Sequence, residues 1–150
     1  MKTNPHMAQA LAEAERAAEL GETPVGAVVL APDGSIAGRG HNLVIARSDP
    51  TAHAEILAIR QACLAAKSER LPGYDLYVTL EPCAMCAAAI SFARIRRLYF
   101  GAADEKGGAV EHGVRFFEAA TCHHAPEVYG GIAEARAAAL LKEFFRKRRP

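Results

Sequence analysis

The chain has 150 residues, a length for one domain with its own core, and its 51% hydrophobic, 23% charged composition excludes disordered, collagen-like and coiled-coil proteins. The net charge of +1 hides an asymmetry: Lys142, Arg146, Lys147, Arg148 and Arg149 against Glu143 give residues 142 to 150 a local +4, leaving the rest at −3. Any nucleic-acid contact is therefore expected from a local basic patch rather than a global field, and no apolar run reaches the ~20 residues that span a bilayer, so no membrane partner is expected.

The N-terminus lacks the apolar stretch of a secretory signal. His6-Met7 reads as a cloning remnant, so residues 1 to 6 are expected to be disordered and stand outside the folded domain. Ala8 to Leu20 carries an imperfect apolar stripe and reads as a helix, ended by Gly21. Val25 to Leu30 is a buried strand, Ala31-Pro32-Asp33-Gly34 a turn, and Ser35 to Gly40 a returning strand. After a loop over 41 to 52, a helix runs from about Ala52 to Lys67. Asp75 to Leu80 is a third strand, and Pro82 opens a helix that continues to about Phe92. Arg97 to Ala102 is a fourth strand, followed by a Gly-rich loop over 101 to 113. Val114 to Ala120 is expected as a short helix, Glu127 to Tyr129 as a fifth strand, and Ala133 to Arg148 as a closing amphipathic helix with Phe144 in the core. Strands alternating with helices argue for an α/β domain with a mostly parallel sheet covered on both faces, made mixed by the first hairpin.

Four cysteines in an unsecreted chain suggest metal or catalysis before disulfides, and the cytoplasm is the expected compartment. His53-Ala54-Glu55 stands at one helix start and Pro82-Cys83-Ala84-Met85-Cys86 at another. Zinc accepts imidazole nitrogen and thiolate sulfur, and Cys83 and Cys86, three apart, present both sulfurs to one side. With His53 that makes three protein ligands and one open position, the arrangement of a catalytic zinc. Glu55 is the candidate general base for its water. A C-x-x-C alone would equally suit a redox pair or half of a zinc ribbon. The chain has no second C-x-x-C, and this one does not follow the first strand of a βαβ unit.

H-A-E with P-C-x-x-C is the zinc signature of nucleobase deaminases. With PVGAVV, DPTAHAEILAIR, LYVTLEPCAMCAAAI, RIRRLYFGA and LLKEFFRKRR, the chain from about residue 8 to 149 resembles the bacterial tRNA adenosine deaminases of the TadA type, in the cytidine deaminase-like superfamily. The resemblance implies a three-layer α/β/α domain over the whole chain, with a five-stranded mixed sheet and a homodimer. It implies one Zn²⁺ per subunit, held by His53, Cys83 and Cys86, with Glu55 as proton shuttle. It implies hydrolytic deamination of the wobble adenosine in a tRNA anticodon loop to inosine. Asn42, Asp104 and Lys106 match positions near the target nucleotide, and Phe145, Arg148 and Arg149 match a terminal helix that meets the anticodon loop. The family's small-residue run after Asp-x-Lys is replaced here by Gly107 to Gly113, where Glu111 adds negative charge.

Two other functions use the same residues. A deaminase of free guanine, cytosine or a nucleoside would need the same metal but no basic tail. A noncatalytic zinc module that binds RNA would need a fourth protein ligand, for which Thr121-Cys122-His123-His124 offers Cys122 or His124.

Overall fold

The computed structural model describes residues 4 to 148. Helix α1 spans Pro5–Glu19. The side chain of Asn4 accepts the amides of His6 and Met7 at 2.9 and 3.0 Å, and Pro5 fills the first turn, where a missing N–H costs nothing. The helix therefore starts ahead of the expected Ala8, and residues 4 to 6 belong to the fold. The reason is burial: Met7 has no exposed surface, and the ring of His6 lies 5.2 Å from that of Tyr77.

The remaining elements are β1 (Gly26–Leu30), β2 (Ile36–His41), α2 (Ala54–Ala66), β3 (Asp75–Leu80), α3 (Ala84–Phe92), β4 (Arg97–Ala102), β5 (Glu127–Tyr129) and α4 (Glu134–Arg148). The expected helix over Val114 to Ala120 shrinks to one 3₁₀ turn at Phe116–Glu118. Gly113 and Arg115 both take positive φ, 58° and 45°, which no α-helix accommodates. The sheet runs β2-β1-β3-β4-β5. β1 is antiparallel to β2 and β3, while β3, β4 and β5 are parallel, so the sheet is mixed, with the hairpin at one edge.

Strand alternation sends side chains to two cores. Val28, Leu30 and Tyr77 pack with Met7, Ala10 and Leu11 of α1 and Ala137 of α4. Ala27, Val29, Leu76 and Val78 face Ala54, Ala58 and Ala62 of α2 and Ile90 of α3. Helices thus cover both faces, the three-layer α/β/α arrangement. Gly26 lets α1 approach β1 closely: a Cβ there would run into the backbone of Ala10 and Ala14. No helix among the described residues is long and apolar enough to cross a membrane.

The topology brings the starts of α2 and α3 together. α2 and α3 share one face of the sheet, and α3 follows directly from the end of β3. Pro82 lies two residues ahead of Ala84, the first residue of α3, so Cys83 takes the N-cap position.

Candidate metal centre and substrate pocket

His53 and Cys83 are the N-cap residues of α2 and α3, with extended backbones at φ −77°, ψ 154° and φ −75°, ψ 176°. N-cap side chains usually turn back onto the helix amides. Neither does so here. They point at each other instead. His53 Nδ1 lies 3.6 Å from Cys83 Sγ and 3.5 Å from Cys86 Sγ. All three donor atoms lie within 4.8 Å of one another. With Zn–S near 2.3 Å and Zn–N near 2.0–2.1 Å, a tetrahedral zinc needs an N···S edge of about 3.6 Å. The donor set fits zinc in both chemistry and spacing, with Nδ1 as the imidazole ligand.

Both helix N-termini direct their free amides and positive dipole ends at this cluster, which favours thiolate there. In the metal-free cluster the two thiols diverge. A hydrogen bond from Cys86, helped by His53, pulls the Cys83 thiol down to about 4. Bonding to Cys83 and then burial push the Cys86 thiol far up. The separate hydrogen bond between His53 and Cys83 raises the His53 imidazole.

Glu55, in the first turn of α2, is 4% exposed. Burial pushes its carboxyl up to about 7. A carboxyl poised near neutrality can both take and return a proton at working pH. Glu55 lines a cavity of about 240 Å³ with His53, Cys83, Asn42, Val25 and Asp104. Asn42 stands on the wall formed by the loop after β2. Its Oδ1 accepts the amide of Val44 at 3.3 Å, which also stiffens the turn.

The cavity opens onto a wider groove. Thr23, Leu80 and Asp104 line both, and the groove adds Lys106, Leu141, Phe145 and Arg148. Four of the six predicted RNA-contact residues thus lie on this groove, and Asn42 lies in the inner cavity. Arg149 lies outside the described residues. Phe145 is 49% exposed, whereas Phe144 is buried. The Arg148 guanidinium stacks 3.8 Å from the centroid of Phe144, so its position is set by packing as well as by charge.

The second candidate ligand cluster does not form. His124 Nε2 bonds the carbonyl of Ile95 at 2.7 Å, and the Cys122 thiol donates to the carbonyl of His124 at 3.1 Å. Among the described residues the His53, Cys83 and Cys86 group stands alone as a three-donor cluster. Among the described residues no fourth protein ligand closes it, and Cys122 and His124, the candidates for that place, are bonded elsewhere.

Sequence reasoning missed two buried carboxylates, Glu22 and Glu81. Each binds backbone amides of a pocket wall. One signal was available for Glu81: a charged residue directly between a buried strand and the metal-binding helix.

Residues 1–102 match the family model of the cytidine and deoxycytidylate deaminase zinc-binding region. The chain is 62% identical over 143 residues to a tRNA-specific adenosine deaminase of Agrobacterium fabrum, covering 95% of this chain and 93% of that one. A structure from a study of A-to-I editing by tRNA:A34 deaminases at the wobble position of transfer RNA superposes with a TM-score of 0.89 at 62% identity, over 91% of this chain and 98% of that one. Guanine deaminase from Bacillus subtilis superposes with a TM-score of 0.64 at 38% identity, over 69% of this chain and 66% of that one. The zinc-type donor set, the buried glutamate beside it and these likenesses agree, and the chain belongs to the zinc-binding cytidine and deoxycytidylate deaminase family, in its branch of tRNA-specific adenosine deaminases.

Proposed function

We propose that this protein hydrolytically deaminates the wobble adenosine of a tRNA anticodon loop, giving inosine and ammonia. One observation carries the reading: a buried carboxyl beside a three-donor zinc site, at the bottom of a cavity that opens onto a groove lined by Phe145, Lys106 and Arg148. Zinc, when bound by His53, Cys83 and Cys86, supplies the Lewis acidity that makes water nucleophilic at neutral pH. Glu55 moves the protons. It takes one from the attacking water and delivers it to ring N1 of adenine as the bond to C6 forms. It carries the next to the departing amine as the C6–N6 bond breaks.

Asn42 and Asp104 flank the cavity and are assigned to hold the nucleoside. Phe145 is assigned to stack on a neighbouring base, with Lys106, Arg148 and Arg149 meeting phosphates. A free-base deaminase has no use for such a groove. The likeness to guanine deaminase favours that second reading, and the groove argues against it. The test is incubation of the zinc-loaded protein with an anticodon stem-loop carrying a wobble adenosine. Inosine is the expected product, and a chain ending before Phe144 should lose it while keeping its zinc. Turnover of free guanine in place of the stem-loop would refute the RNA assignment.

A homodimer in the cytoplasm completes the proposal. Leu64 on α2 and Phe92 on α3, the two helices of one face, are 80% and 71% exposed, as expected of a surface that a second copy covers. Sedimentation equilibrium should return twice the chain mass of 16.0 kDa.

A further inference from the structure

The pocket has two loop walls, and each hangs from one buried carboxylate. Glu22, 1% exposed, accepts the amides of Ile45 and Ala46 at 3.1 and 2.7 Å, in the wall that carries Asn42. Glu81 holds the opposite wall. Its Oε1 accepts the amide of Asp104 at 3.0 Å and meets His112 Nδ1 at 2.8 Å. Its Oε2 accepts the amides of Val110, Glu111 and His112 at 3.1, 2.9 and 3.1 Å. The side chain has no exposed surface.

This wall has no helix or strand of its own between residues 103 and 115. Its order comes from convergence on one anion, as in the anion-binding nests that successive amides form. A second observation is the glycine packed against that anion. A Cβ on Gly108 would lie 2.5 Å from Glu81 Cδ and 2.6 Å from Oε2. The bonds then propagate outward: Asp104, fixed through its amide, uses Oδ1 to accept the amides of Lys106 and Gly107 at 3.2 and 2.9 Å. Asp104 lines both the inner cavity and the outer groove.

We propose that Glu81 is a positioning residue for the substrate: it fixes the wall that carries Asp104 and Lys106, and so sets how tightly the nucleotide is held. Both of its oxygens are occupied by the wall, so it acts through the loop. Glutamine cannot replace it. An amide NH₂ at either oxygen position would face at least one backbone N–H, leaving two donors opposed in a buried site. The substrate named here rests on the function proposed above.

The experiment uses the full-length, zinc-loaded Glu81→Gln enzyme with its zinc content measured. KM for the stem-loop should rise about tenfold, with kcat held within about threefold, as expected of a displaced binding wall. Loss of folded enzyme would instead lower kcat and leave KM unchanged. In hydrogen exchange, the amides of Val110, Glu111 and His112 should lose protection in the variant while those of α1 keep theirs. Gly108→Ala, remote in sequence from the metal ligands, should raise KM in the same way and serves if Glu81→Gln loads zinc poorly. The double variant should be no worse than the more impaired single one, because the wall can be released only once. An unchanged KM with the wall amides deprotected would overturn the proposal, as would wall amides that stay protected in Glu81→Gln. If the wild type makes no inosine, the RNA assignment fails, and the exchange data still decide whether Glu81 orders the wall.

Discussion

Glu55→Ala should lower kcat by about 10³-fold or more, within the 10²–10⁴ that general acid–base catalysis contributes, while zinc remains bound at wild-type stoichiometry. The two halves of that outcome have separate causes. The metal donors are His53, Cys83 and Cys86, and none is disturbed when Glu55 is shortened. The proton route is lost, because the other described carboxylates lining the inner cavity are engaged in holding its wall. Glu81 binds the stretch from Asp104 to His112, and Asp104 binds Lys106 and Gly107. Turnover at the wild-type rate would remove Glu55 from the mechanism. Glu55→Gln adds a check on stability. Folding raises the Glu55 carboxyl from 4.5 to about 7, so the folded metal-free protein holds more protons than the unfolded chain between those values. Stability attributable to this group therefore falls as pH rises through that window. At about 1.4 kcal/mol per pKa unit the loss approaches roughly 3 kcal/mol. Metal-free Glu55→Gln carries no such burden, and its denaturation midpoint should exceed that of the metal-free wild type above pH 7.

Cys83→Ala should abolish both zinc binding and activity. Two donors remain, one imidazole and one thiol, too few for the three-ligand site that catalytic zinc requires. Metal affinity and folding are linked, so the melting temperature should also fall towards that of the chelator-stripped wild type. Adding zinc should restore the stripped wild type and leave the variant unchanged. Measured zinc content, melting temperature and turnover must move together; a variant that keeps full zinc would require a ligand set other than the one assigned. The metal-free wild type offers a further readout. Its Cys83 thiol, only partly buried, should react with an alkylating reagent, while Cys86, with no exposed surface, should not.

The metal site was legible in the sequence because it is local chemistry twice over. His53 and Glu55 are two apart and Cys83 and Cys86 three apart, at the starts of helices whose order in the chain is set by alternating strands. The strands were legible for a similar reason, since runs such as Val25 to Leu30 and Asp75 to Leu80 are short, apolar and rich in β-formers. The walls of the pocket were not. Glu81 finds its partners 23 to 31 residues away, and all but the His112 imidazole are backbone amides, which every residue except proline carries. No side-chain pattern marks them. The start of α1 is a different case. Asn4-Pro5 is a good cap followed by a good first-turn residue, and the signal was obscured by His6-Met7 beside it. The absent helix near Val114 shows the limit of composition: its residues suit a helix, but the left-handed backbone at Gly113 and Arg115 belongs to the path the wall must follow.

The hairpin between β1 and β2 has a practical implication for building with this protein. Leu30 pairs with Asp75 at the first residue of β3, whereas the zinc ligands of α3 follow the last. At about 3.3 Å per residue, the length of β3 separates the turn from the chemistry by roughly 17 Å. Asp33 and Gly34 are exposed, and a Cβ on Gly34 would meet nothing within 4 Å. This turn is therefore a natural splice point, where a dye, an affinity handle or a whole guest domain can be grafted with the reaction centre left at the far end of the sheet.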